Sequence, residues 1–275
     1  MLRLLIGKSG SGKTRQCLKE IATTVESNPA MNCFFLVPEQ GSFYAERSLL
    51  RQIEKGGVIQ AQVFSFQRLA WRILQETGGG LATPLDEVAK ALILKHILAT
   101  NKKRFQVFAK VMDKPGFLEQ LVRALSEMKN YCISPEKLAS FLDKAVDEGT
   151  KNDLKGKLAE FVFIYQEFEA FIKDYEYLDT DDNLQILADN LHKAHFLKNT
   201  QIWIDGFHGF TPLEIAVIRE LLLYCPQVNI TLCLEQKYLK QKLPETHLFY
   251  KTWETYQSLL QMAAEIHCSL ADTFI

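Results

Sequence analysis

A chain of 275 residues, 47% hydrophobic and 24% charged, is long enough for a sizeable core and for two lobes. Its formal charge of -1 excludes a basic chain held on nucleic acid by bulk electrostatics, so any such binding needs a local site. Six cysteines stand singly, with no CxxC pair, which points to reduced thiols in a cytosol, and no apolar run is long enough to span a bilayer.

The opening apolar run, MLRLLIG, is too short for a signal segment and leads into a glycine loop. LRLLI reads as a strand, followed by a helix from Thr14, a second strand CFFLV from Cys33, a helix around Ala45 to Ile53, and a third strand QVFSF before another helix. This βαβα rhythm implies a parallel sheet covered by helices, and it stops at Gly78, Gly79 and Gly80. From Leu85 to about Lys198 the pattern is helical, with Ser134 and Pro135 supplying one cap and first turn. Strand character returns in TQIWIDGF, a helix follows in PLEIAVIRELLLY, and VNITLCLE is another apolar strand.

Between the first strand and first helix lies GKSGSGKT, residues Gly7, Lys8, Ser9, Gly10, Ser11, Gly12, Lys13 and Thr14, which satisfies the phosphate-loop pattern in its required strand-loop-helix setting. Leu18, Ile21, Ala22 and Val25 share one helical face, so this helix can dock on the sheet while its N-terminus points at a ligand. The glycines let backbone N–H groups close round phosphate oxygens, Lys13 reaches the terminal phosphates, and Thr14 holds Mg²⁺. The expected ligands are therefore ATP and Mg²⁺.

The TKND stretch, Thr150 to Asp153, precedes the best acidic strand end and lies between helical segments, so it is not read as a guanine-recognition motif. No arginine-rich lid or LSGGQ signature is present. The remaining class is RecA-like. The expected fold is α/β: a RecA-like P-loop parallel-sheet domain, residues 1–82 and 199–275, interrupted by an all-helical insertion, residues 83–198.

Asp205, at the end of IWID, is expected to hold Mg²⁺ beside Thr14, although it could instead cap the helix that begins at Pro212. Helicases of the UvrD type follow this aspartate with a water-positioning glutamate. Here the next residue is Gly206, and the nearest downstream carboxylate, Glu214, lies inside the next helix. No catalytic residue is assigned, and hydrolysis is expected to be slow or absent. In VFSFQRLAWRILQ, Phe66, Leu69, Ala70, Ile73 and Leu74 form a buried stripe, leaving Arg68, Trp71, Arg72 and Gln75 on the opposite face. A tryptophan flanked by guanidiniums suits base stacking with phosphate contact, and packing of Trp71 against other protein is the open alternative. Gln40 and Ser42, in PEQGSFYAE, offer hydrogen bonds at the carboxyl edge of the sheet.

GKSGSGKT, LVPEQGSFYAE, VFSFQRLAWRIL and WIDGFHGFTPLE, in this order and spacing, resemble the N-terminal helicase-like region of the AddB family, a component of the bacterial AddAB (RexAB) ATP-dependent helicase/deoxyribonuclease. The resemblance implies a cytoplasmic protein that works with AddA on double-stranded DNA breaks. It implies an ATP-binding, degenerate helicase-like lobe that scans single-stranded DNA for the Chi sequence. By position it implies DNA contacts at Gln40, Ser42, Phe66, Arg68 and Trp71, with Phe207 or Phe210 from the aromatic pair after Asp205. It places the family's nuclease and its cysteine-ligated iron-sulfur cluster beyond Ile275. The rival reading is a stand-alone P-loop phosphotransferase or NTPase acting on a small molecule.

Overall fold

A computed structural model describes residues 1–53, 59–77, 83–147 and 152–275. The glycine run Gly78 to Gly80, and Thr150 and Lys151 of the TKND stretch, lie outside the described residues. The chain divides into two compact units, one of residues Met1–Gly79 with Leu184–Ile275 and one of Gly80–Asn183.

The first unit begins with β1 (Leu2–Gly7), α1 (Lys13–Ser27), β2 (Asn32–Leu36), α2 (Ser42–Gln52), β3 (Ala61–Phe64) and α3 (Phe66–Thr77). The second unit holds β4 (Thr83–Leu85), α4 (Glu87–Thr100), α5 (Phe117–Asn130), α6 (Pro135–Asp147), α7 (Asn152–Asp174) and β5 (Tyr177–Asp179). The chain then enters α8 (Asn183–Asn190), β6 (Thr200–Ile204), α9 (Pro212–Tyr224), β7 (Gln227–Cys233), α10 (Tyr250–Glu265) and β8 (Leu270–Phe274).

Six strands form one sheet in the order β3-β2-β6-β7-β1-β8, and every pairing is parallel. Both faces are covered, as a parallel sheet requires. Because side chains alternate across a strand, neighbouring residues enter different cores. Leu4, Ile6, Phe34, Leu36, Ile202 and Ile204 pack with residues of α3, α8, α9 and α10. Leu5, Cys33, Phe35 and Trp203 pack with residues of α1 and α2 on the opposite face. A buried Leu or Ile here contributes roughly 1.5–3 kcal/mol relative to exposure, so the alternation fixes the register of each strand.

The unit boundary differs from the sequence expectation at residue 198. Leu184, Leu187, Ala188, Leu191 and Leu197 are buried in the same core as Leu4 and Ile204, so residues 184–198 pack with the sheet. The second unit also differs from an all-helical body, because β4 and β5 pair in parallel. Its helices enclose a separate core that includes Leu94, Leu125, Ile164 and Phe168. Asp86 caps α4 by accepting from the Ala89 N–H at 2.7 Å, and Ser134 accepts from the Lys137 N–H at 3.2 Å at the start of α6.

Within that core lie two buried lysines. Lys90 pairs with Asp179 at 2.5 Å and Asp181 at 2.6 Å. Lys129 reaches Asp179 at 2.7 Å, Glu169 at 2.8 Å and Asp182 at 3.0 Å. Among the described residues no helix is long and apolar enough to cross a membrane.

Candidate functional site

Parallel strands carry their C-terminal ends to one edge, and the glycine loop after β1, Gln40 and Ser42 after β2 and Asp205 after β6 follow those ends directly. Gly7 pairs with Cys233, Ile204 with Ile230 and with Leu36, and Leu36 with Phe64, so the ends of β1, β7, β6, β2 and β3 are adjacent. This is the edge where open α/β sheets place ligands.

The Gly7–Thr14 loop leaves β1 and turns directly into α1. Gly10 and Gly12 have φ of +79° and +99°, a left-handed backbone that favours glycine. The Ser11 N–H donates to the Lys8 carbonyl at 3.2 Å, which tightens the turn. α1 has no side-chain cap and no acidic residue in its first turn, so its terminal N–H groups remain available to an anion. The Lys13 ammonium folds back over the loop, donating to the carbonyls of Gly7 at 2.8 Å and Lys8 at 2.7 Å. Ser9, Gly10, Lys13, Asp205, His208 and Thr231 are among the residues lining a cavity of about 420 Å³ at this loop.

Thr14 and Asp205, 191 residues apart in sequence, meet: the threonine hydroxyl donates to Asp205 Oδ2 at 2.6 Å. Asp205 is 7% exposed, and its other oxygen accepts from the Thr231 hydroxyl on β7 at 2.5 Å. Its backbone N–H donates to Leu36 of the neighbouring strand at 2.9 Å, which fixes where the carboxylate begins. Asp205 does not cap α9. Thr211 does, in a reciprocal arrangement: its hydroxyl accepts from the Glu214 N–H at 3.3 Å while its own N–H donates to Glu214 Oε2 at 2.8 Å. Glu214 is thereby committed to the helix end, and burial raises its pKa, opposed by those bonds to Thr211.

Gly206 also has a structural cause. Its φ is +84°, and an added Cβ would lie 3.3 Å from Cδ of Pro38. The turn after β6 therefore favours a residue without a side chain at this position. Cys17, buried on α1, has its thiol pKa raised, by burial first and then by the charge of Asp205.

The residues expected to contact DNA fall into two groups. Trp71 is 46% exposed, and Arg68 is exposed on the preceding turn of α3, paired with Glu46 of α2 at 2.9 Å. Arg72 pairs with Glu76 at 2.5 Å and lies 5.9 Å from the centroid of the Phe196 ring. Gln40 is exposed in the short turn after β2, and the Ser42 hydroxyl donates to the Glu39 carbonyl at 2.8 Å. Phe66 is different. It is 4% exposed, edge-on to Phe207 at 5.5 Å and Phe210 at 6.3 Å, so it supports those two partly buried rings and offers no free face of its own.

Two features escape the sequence reading. Thr231 sits within an apolar run, yet VNITLC alternates, placing Asn229, Thr231 and Cys233 on one face. Phe43 and Tyr44, next to Ser42, are 67% and 71% exposed and contact each other edge-on at 5.9 Å.

The family model described as "ADDB, N-terminal" matches residues 4–275. The chain is 38% identical over 266 residues to an ATP-dependent helicase/deoxyribonuclease subunit of Geobacillus kaustophilus (strain HTA426), covering 95% of this chain and 23% of the relative. It is 39% identical over 264 residues to the protein of that name from Moorella thermoacetica (strain ATCC 39073 / JCM 9320), again covering 95% of this chain and 23% of the relative. It is 38% identical over 275 residues to that of Desulforamulus reducens (strain ATCC BAA-1160 / DSM 100696 / MI-1), covering 100% of this chain and 24% of the relative. The chain thus spans about a quarter of the length of the curated relatives it matches. With a family match running from residue 4 to residue 275, the chain belongs to the AddB N-terminal family.

Proposed function

We propose that this chain is the ATP-binding, degenerate helicase-like lobe of a DNA-break-processing helicase-nuclease, and that it binds and scans single-stranded DNA. The observation that carries the nucleotide half is the contact between Thr14 and Asp205, which joins the glycine loop to the end of β6 across 191 residues. The groups there fit Mg²⁺-ATP. Positive-φ glycines and uncapped helix N–H groups suit phosphate, and hydroxyl plus carboxylate oxygens suit a hard divalent cation. The lone strand between β6 and β1, namely β7, agrees with a RecA-like P-loop sheet.

Bound Mg²⁺ would neutralise phosphate charge. The chain's own residues would act as follows: Lys13 exchanges its loop carbonyls for the terminal phosphates, and Thr14 and Asp205 hold the metal. Gly206 supplies no base, and Glu214 is engaged at its helix end, so turnover by this lobe is slow or absent. Trp71 and Arg68 provide the strand contact on α3, with Gln40, Ser42, Phe207 and Phe210 at the sheet edge and Phe66 behind the two rings. The name its relatives carry supports a place in an enzyme complex that acts on DNA. In this role the chain works with AddA on double-stranded DNA ends in the cytoplasm, in homologous recombination and repair.

The test is equilibrium binding by the full chain. Mg²⁺-ATP binds and Lys13→Ala abolishes that binding, while Trp71→Ala lowers oligonucleotide affinity by roughly tenfold or more with the melting temperature retained. Equal oligonucleotide binding by Trp71→Ala and wild type excludes the stacking surface. Steady ATP turnover lost in Lys13→Ala supports the phosphotransferase or NTPase reading instead.

A further inference from the structure

The nucleotide reading assigns Thr14 and Asp205, but Asp205 has a second partner whose role lies outside that assignment. Thr231 projects from β7 between β1 and β6, is 4% exposed, and donates to Asp205 Oδ1 at 2.5 Å. A hydroxyl carries one proton, so this bond commits the Thr231 donor wholly to the carboxylate. A terminal carboxylate has a broad, two-fold torsional preference, so its hydrogen-bond partners, and not the torsion itself, set its plane. With Oδ1 anchored, the carboxylate plane is set, and Oδ2 is the oxygen that meets Thr14 at 2.6 Å, in a residue that lines the cavity at the glycine loop.

Building on that reading, we infer that Thr231 is a positioning residue, which orients the Asp205 carboxylate so that one defined oxygen meets the divalent cation accompanying the nucleotide. Three restraints converge on this one side chain. The Asp205 N–H is tied to Leu36, the following residue is Gly206 in a left-handed turn, and Thr231 closes the far oxygen. Outer partners of metal-ligating carboxylates typically act in this way, and their removal costs roughly 10–100-fold in metal affinity. Valine keeps the branched shape that a buried strand position favours and removes only the hydroxyl.

The experiment titrates ATP into the full chain with Mg²⁺ and, separately, with EDTA, for wild type, Thr231→Val and Thr231→Ser. Thr231→Val is expected to weaken binding roughly tenfold with Mg²⁺ and to leave binding in EDTA unchanged, with Thr231→Ser restoring the Mg²⁺ effect. Loss of equal size with and without Mg²⁺, or no loss in either, overturns the positioning role while leaving the nucleotide site standing. If the wild-type chain binds no Mg²⁺-ATP, the nucleotide reading fails and takes this inference with it. Should Thr231→Val not unfold cooperatively on heating, Thr231→Ala carries the same two-condition comparison.

Discussion

Among the described residues each unit buries one aspartate, and the two are satisfied in opposite ways. Asp179, 1% exposed, has both oxygens ion-paired, to Lys90 at 2.5 Å and Lys129 at 2.7 Å. Asp205, 7% exposed, meets only two neutral hydroxyls, and among the described residues no lysine or arginine pairs with it. A buried carboxylate with built-in countercharge is electrically closed. One held by hydroxyls keeps its hydrogen bonds but leaves its charge uncompensated, which is the condition of a group able to accept a cation from outside. The same residue type therefore serves as a brace in one unit and as a candidate ligand in the other.

Neutralising each aspartate tests this contrast most strongly. Asp179→Asn leaves two buried ammonium groups short of charge, and breaking such a pair costs about 3–5 kcal/mol. The carboxylates hold the Lys129 pKa up against burial, which alone would lower it, so the ammonium does not simply shed its proton when one partner is lost. Asp205→Asn strands no cation and changes only hydrogen bonds to hydroxyls, an effect of about 1 kcal/mol. Urea unfolding of both variants measures the difference, and equal losses would remove the distinction.

Gly206 sharpens it next. Its φ of +84° means that Gly206→Ala costs about 1–2 kcal/mol from backbone strain alone, with Pro38 crowding the new methyl group. Gly206→Glu should lose at least as much in the same denaturant series. A glutamate variant as stable as wild type would mean that the turn relaxes, and that the missing acid is not dictated by local geometry.

How far these features could be read from the sequence follows from their physical range. The glycine loop, the strand ending on Asp205 and the capped helix at Ser134 are local signals, and each lies where its residues indicate. Residues 184–198 are helical in character whichever core they join, and only their packing against Leu4 and Ile204 assigns them to the sheet unit. β4 and β5, three residues each, are too short for a period to show. Lys90 and Lys129 look like surface residues until Asp179, 89 and 50 positions later in the numbering, is placed between them. Phe66 is legible both as core and, by family position, as a DNA contact, and its edge-on packing with Phe207 decides for the core in this chain. Thr231 is in principle visible, since polar residues at every second place in a covered parallel strand require a partner.

The smallest effect concerns the rim of the brace. The Asp182 pKa is pushed up to about 6, first by burial and further by the charge of Asp179, with Lys129 opposing. A carboxyl whose folded pKa lies above its unfolded value of about 3.9 binds protons more readily in the folded state. Its contribution to stability therefore grows as pH falls from 7 through 6 and levels off near 4. Asp179 has the opposite sign: burial works to raise its pKa, yet the two lysines hold it below the usual carboxylate range, so its contribution is lost only on further acidification below about pH 4. Between pH 7 and pH 5 the two are thus separable. Asp182→Asn mimics the protonated form, so its stability relative to wild type should be highest at pH 7 and should decline towards pH 5. The Asp182 side chain is 37% exposed, and solvent screening keeps the change below about 1 kcal/mol. Melting curves of the two proteins at both pH values supply the measurement; a gap that stays constant or widens in acid would mean that the Asp182 charge does not strain the brace, leaving Lys129 with capacity for all three of its carboxylates.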